Sequence, residues 1–117
     1  MQTVTEISEI LIELLRKQEF LQAYKRLFSD DAESIDPLNP KEGPIKGLNK
    51  LIDLETQFLS RATIHQVDVS DAIQSGAYFS IQLAMHFSIG GTEKTIDELC
   101  VYKVSGTKIV SQQFFVS

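Results

Sequence analysis

The sequence predicts an α+β domain in which three N-terminal helices pack on one face of a curved sheet. Three observations carry this expectation. Apolar residues recur at helical spacing in the first half of the chain, up to Arg61. After Ala62 the period changes to two. From 77 to 89 the alternation then runs without a fault: Phe79, Ile81, Leu83, Met85 and Phe87 fall on one side, Tyr78, Ser80, Gln82, Ala84 and His86 on the other. A strand turns successive side chains to opposite faces, so this is one strand with an apolar and a mixed face. At about 3.3 Å per residue it spans roughly 40 Å, and in a chain of 117 residues it must bend. A bent sheet whose apolar face is closed by helices encloses a cavity. The expected shape is a small cone built to hold something.

The elements follow in order. Thr3 with Glu6 fits a capping box, and Val4, Ile7, Ile10, Leu11, Leu14 and Leu15 follow at helical spacing. Gln18 and Glu19 interrupt the stripe. Phe20, Leu21, Tyr24, Leu27 and Phe28 resume it in a new phase, which predicts two helices with a tight junction or one kinked helix. Ser29, Asp30 and Asp31 end that segment, and Glu33, Ser34, Ile35 and Asp36 form a short extended piece, because Pro37 disfavours a helical Asp36. Residues 37–47 contain all three prolines and two glycines, a loop long enough to act as a flap over a pocket. A third helix is expected over 48–61. His65, Val67 and Val69 then alternate with Ile64, Gln66 and Asp68, which places His65 on the core side. Gly90-Gly91 marks a hairpin. Strands over 95–104 and 109–116 flank the turn at 105–107 and complete an antiparallel meander. Helices first and strands after is the α+β order.

Length indicates a single domain over 1–117 with a sizeable core. Hydrophobic content of 43% and charged content of 23% are globular values. A net charge of −5, with Arg16-Lys17 and Lys25-Arg26 as isolated basic pairs, argues against nucleic acid as a partner. The single cysteine, Cys100, cannot form an internal disulfide or a cysteine-based zinc site. His65 and His86 have no metal-ligand spacing, so no metal and no cofactor are expected. No apolar run is long enough to span a membrane, and the start lacks the pattern of a secretory signal. A cytoplasmic location is the expectation.

Candidate functional residues are polar groups in apolar patterns. Glu55 occupies the apolar stripe of the third helix, between Leu48 and Phe58. A carboxylate facing a core must find a partner or take up a proton. Asp36 stands where an extended segment enters the proline-rich loop and can serve as a proton shuttle if apolar walls surround it. Glu98 shares a strand face with Ile96, Cys100, Tyr102 and Val104, and Gln112 shares one with Val110, Phe114 and Val116. If these faces point inward, Glu98 and Gln112 are polar handles in a pocket lined by Leu83, Met85, Cys100, Tyr102 and Phe114. If the sheet is turned over, Leu99 and Val101 face the core instead.

Several segments together resemble one known superfamily. They are 20–28 (FLQAYKRLF), 29–37 (SDDAESIDP), Gly47 opening the third helix, and the ending Val101-Tyr102-Lys103-Val104, Gly106, Lys108-Ile109-Val110. Taken in order they resemble the nuclear transport factor 2-like superfamily, in particular its SnoaL-like and ketosteroid isomerase-like members. The resemblance implies the cone-shaped, cystatin-like fold, an apolar pocket open at one end, and homodimers paired sheet to sheet. Tyr78, Gln82, His86 and Phe115 would lie on that outer face. It also implies that Asp36 matches the carboxylate base of the isomerases. The oxyanion tyrosine of those enzymes would fall at Leu11 or Ile12, which cannot donate a hydrogen bond, and their protonated aspartate at about Cys100, a weak donor. Losing such donors costs on the order of 3 kcal/mol each, so steroid isomerisation is not implied.

Three functions follow as expectations. One is a protein that binds a small apolar or mixed-polarity molecule. Another is a cofactor-free isomerase or cyclase with Asp36 as base and Glu55 or Glu98 as its acid partner. The third is a dimeric interaction module whose interior is filled by its own side chains.

Overall fold

The computed structural model describes residues 3–36 and 43–117. The N-terminal stripe forms two helices, α1 (Val4–Arg16) and α2 (Phe20–Leu27). Thr3 caps α1 by accepting from the Glu6 backbone N–H. The junction closes on Gln18, which takes a left-handed φ of 60°. There the Gln18 and Glu19 N–H groups donate to the Leu15 and Leu14 carbonyls, satisfying groups that a helix end leaves orphaned. Strand β1 (Phe28–Ile35) follows, then β2 (Ile45–Lys46) and the third helix, α3 (Leu48–Arg61). The remaining strands are β3 (Ala62–Val69), β4 (Ile73–Ser75), β5 (Tyr78–Ile89), β6 (Thr92–Ser105) and β7 (Lys108–Val116).

The described residues form a seven-stranded sheet in the order β2-β1-β7-β6-β5-β3, with β4 paired to β5. The expected meander is present, and the long strand runs as read. Phe79, Ile81, Leu83 and Phe87 are buried on its inner side. One feature differs from an all-antiparallel sheet: β1 joins β7 in parallel. Ser29, Asp30 and Asp31 do not end a helix but lie inside β1. Phe28 is the C-cap of α2 and the first residue of that strand. The flap expected over 37–47 lies outside the described residues for 37–42. Ile45 and Lys46 pair with Ser34 and Glu33.

Bulges bend the sheet. Register shifts occur between Phe28 and Glu33, between Ile64 and Gln66, and between Lys103 and Val104, and an extra residue in one strand bends it and sharpens its twist. The shift in β3 corrects the reading of His65. Past the bulge, Val67 and Val69 turn inward together with Ile64, and His65 is left exposed. Its Nε2 sits 2.9 Å from Ser88 Oγ, and its ring lies 4.9 Å from that of His86.

The core lies between the inner sheet face and the helices. Ile7 and Leu11 of α1, Leu27 of α2 and Leu51 of α3 are buried against it. Two anchors hold the helices over the concavity. Arg16 at the end of α1 donates from Nη2 to the Val69 carbonyl at 2.7 Å, and Phe58 of α3 meets Phe87 of β5 edge to face at 5.3 Å.

Candidate functional site

The sheet register builds one side of the site. Across β5, β6 and β7 the inward rows are Phe79–Tyr102–Gln112, Ile81–Cys100–Phe114 and Leu83–Glu98–Val116. Glu98, Cys100 and Gln112 therefore stand on the core face, and Leu99, on the other, is 46% exposed. The parallel pairing places Ser34 beside Gln112. The Gln112 side-chain amide donates to Ser34 Oγ at 3.1 Å and to Tyr24 Oη at 2.9 Å. That network fixes a buried glutamine and ties α2 to the sheet.

The helices build the other side. Leu51 and Phe58 lie four residues before and three after Glu55, so the three share a helix face. Since Leu51 is buried and Phe58 packs on Phe87, Glu55 is carried inward, half-buried. Leu11 and Leu15 of α1 and Phe20 and Tyr24 of α2 complete the wall. The pocket between these walls, partly open to solvent, measures about 100 Å³. A cavity of about 150 Å³ accepts benzene, so this one suits a guest of a few non-hydrogen atoms.

Electrostatics makes the site unusual. Burial pushes Glu55 up to about 7. Glu98 also rises to about 7, first through burial and then through the negative charge of Asp36. The Cys100 thiol opposes this by donating to Glu98 Oε1 at 3.7 Å, and the charge of Glu55 adds to it. Cys100 is itself pushed up, by burial and then by the charge of Glu98, and it interacts with the Tyr102 hydroxyl. Tyr24 and Tyr102 are also raised, by burial first. At neutral pH the interior thus presents intact phenol and thiol donors beside carboxyls poised between their two forms. Because Gln112 donates to Tyr24, the Tyr24 hydroxyl keeps its own proton to give elsewhere.

The family model for the SnoaL-like domain matches residues 2–116. The chain belongs to that family. No curated protein matches the sequence. Solved structures share its fold. A protein of Mesorhizobium loti described as a SnoaL-like polyketide cyclase is 22% identical, with a TM-score of 0.90 over 97% of this chain and 99% of that one. A ketosteroid isomerase-like protein of Catenulispora acidiphila, solved with trimethylamine, is 18% identical, with a TM-score of 0.74 over 96% and 85%. An LEH-like epoxide hydrolase of M. tuberculosis is 15% identical, with a TM-score of 0.74 over 97% and 82%. At these identities the likeness is one of fold. This SnoaL-like domain thus has the same fold as proteins described as ketosteroid isomerase-like and nuclear transport factor 2-like.

Of the residues singled out in the sequence, Glu55, Glu98, Cys100, Tyr102, Gln112, Phe114, Leu83 and Met85 all line this cavity. Asp36 does not line it. It follows β1 directly, on the side of buried Ser34, half-buried, and its charge acts on Glu98 and Tyr24. Sequence patterning alone does not single out Tyr24, which belongs to the apolar stripe of α2. A hydroxyl within that stripe was the available signal, of the same kind that singled out Glu55. Among the described residues no cluster of His, Cys, Asp and Glu is placed to hold a metal, and no helix is long and apolar enough to cross a membrane.

Proposed function

We propose that this SnoaL-like domain binds a small organic molecule in the cavity and exchanges protons with it through Glu55 and Glu98. The observation that carries the reading is that two carboxyls from opposite walls, one on α3 and one on β6, meet in the same space with ionisation near neutrality. General acid–base work is most efficient when the acid and base titrate near the working pH. Burial raises both carboxyls to about 7, and the charge of Asp36 adds to the rise of Glu98, so in this reading one of the pair serves as acid and the other as base. Asp36, expected from the resemblance to be the base, acts here by biasing Glu98. Tyr24 supplies the hydrogen-bond donor that Leu11 and Ile12 cannot. A relative of this fold is solved with trimethylamine, a molecule on the scale of this cavity. The domain pairs with a second copy through its outer sheet face, where Leu99 and Phe115 lie side by side in register.

The test is direct. Carbon-13 titration of the glutamate side chains gives midpoints near pH 7 for Glu55 and Glu98. Midpoints near 4.5, the ordinary glutamate value, overturn the acid–base assignment. Fragment binding followed by NMR detects small guests in the native protein and loses them in Ala23→Phe, which fills the space from α2. A guest retained equally by that folded variant lies elsewhere, and the pocket reading fails.

A further inference from the structure

Taking the cavity as a ligand site, as above, we infer that its occupant is a small organic cation, an alkylammonium group, which unlike a quaternary ammonium has a proton to exchange. The argument rests on what the wall contains and what it lacks. Two carboxyl groups, Glu55 and Glu98, face the space, and none of its fourteen described lining residues is Lys, Arg or His. An anion entering there meets carboxylates with no countercharge among those residues. A neutral apolar guest leaves both carboxyls desolvated without a countercharge, Glu98 keeping only the weak Cys100 thiol donor, which is costly for the ionised form. A cation compensates both at once.

The remaining surface fits the same guest. The rings of Tyr24, Phe28 and Tyr102 form a contiguous wall, with centroids 4.8 Å apart for the first pair and 6.3 Å for the second, and Phe20 and Phe114 also line the space. An aromatic wall attracts a cation through its quadrupole, most strongly when water is excluded, and aromatic cages are a recurring means of holding methylated ammonium groups. Alkyl substituents suit the apolar contacts of Leu83 and Met85, whereas a bare metal ion needs a compact set of oxygen ligands that this wall does not offer. A volume of about 100 Å³ limits the guest to a head group of tetramethylammonium size.

Three compact branched probes of different charge test the inference: tetramethylammonium, tert-butanol of the same heavy-atom count, and the larger pivalate, each titrated into the native protein at pH 8 and followed by amide NMR shifts of Cys100 and Gln112. Tetramethylammonium is expected to bind at least about tenfold more tightly than tert-butanol, and pivalate most weakly. Lowering the pH to 5 protonates Glu98, which Asp36, Glu55, Cys100 and Tyr102 face, and Glu55, which Tyr24 faces. The cation is then expected to lose about tenfold in affinity while tert-butanol does not change. The double variant E55Q/E98Q, its fold checked by the same spectra, abolishes the cation preference and keeps tert-butanol binding. If tert-butanol binds as tightly as tetramethylammonium, the cation assignment is overturned and the pocket reading stands. If no probe shifts the cavity resonances, both fall.

Discussion

Glu55 and Glu98 set the pH dependence of stability. Each carboxyl titrates near 4.5 when unfolded and near 7 when folded, so the folded state holds more protons between those values. A group of this kind costs nothing below pH 4.5, and stability falls as the pH rises through 7. For Glu55, the more deeply buried of the two, a rise of this size corresponds to on the order of 3 kcal/mol, and solvent screening makes the contribution of Glu98 smaller. Urea unfolding should therefore give a higher stability at pH 5 than at pH 8. E55Q, which cannot ionise, should raise stability at pH 8 by about 1–3 kcal/mol and leave it nearly unchanged at about pH 4. An unaltered pH profile in that variant counts against Glu55 being desolvated. Gln112 provides the second residue-scale test. Its amide serves Ser34 and Tyr24 together, and Gln112→Leu leaves two hydroxyl oxygens without that donor. A buried polar group that loses its partner costs about 1–3 kcal/mol, read as a lower urea midpoint.

At the scale of elements, α3 is aimed by its first turn. Gly47 precedes it with a φ of 101°, a region that side-chain-bearing residues rarely adopt. Its N–H donates to the Ala32 carbonyl at 2.9 Å, which joins the helix start to β1. Open space surrounds the position of an added Cβ, so the penalty of Gly47→Ala is conformational rather than steric. A strained backbone of this kind costs on the order of 1–3 kcal/mol. The variant should unfold at lower urea, and the Glu55 titration midpoint should move, since the same backbone aims the helix that carries it. A destabilised protein with an unmoved Glu55 would show that Phe58 against Phe87 alone fixes the helix.

For the whole molecule, the sheet has two faces with different tasks. The inner face is closed by helices. The outer face presents Leu99 at 46% and Phe115 at 50% exposure in adjacent register positions, with Tyr78 at 48% further along. Aromatic and aliphatic side chains grouped this way are characteristic of interface centres. Sedimentation velocity of the native protein is expected to give a dimer. The pair L99E/F115E should give a monomer with an unchanged unfolding midpoint at low protein concentration. A native monomer at all concentrations removes the second copy from the proposal.

Periodicity alone determined much of this protein. The change from a helical to a two-residue repeat marks where helices give way to strands. The unbroken alternation of 77–89 identifies the long strand, and parity groups Glu98 with Cys100 and Gln112 with Phe114, while which of the two faces turns inward was decided by the sheet register. Those features are local, because backbone geometry ties side-chain direction to sequence position. Other features were settled only in three dimensions. The parallel contact of β1 with β7 joins residues far apart in sequence and brings Ser34 to Gln112. The bulge in β3 reverses the parity that had put His65 in the core, and no periodic pattern reports an inserted residue. Tyr24 became a cavity residue because helix packing turned its hydroxyl toward Gln112. The near-neutral ionisation of Glu55 and Glu98 belongs to the assembled site, since burial and the charge of Asp36 act through space and arise when the helices close over the sheet.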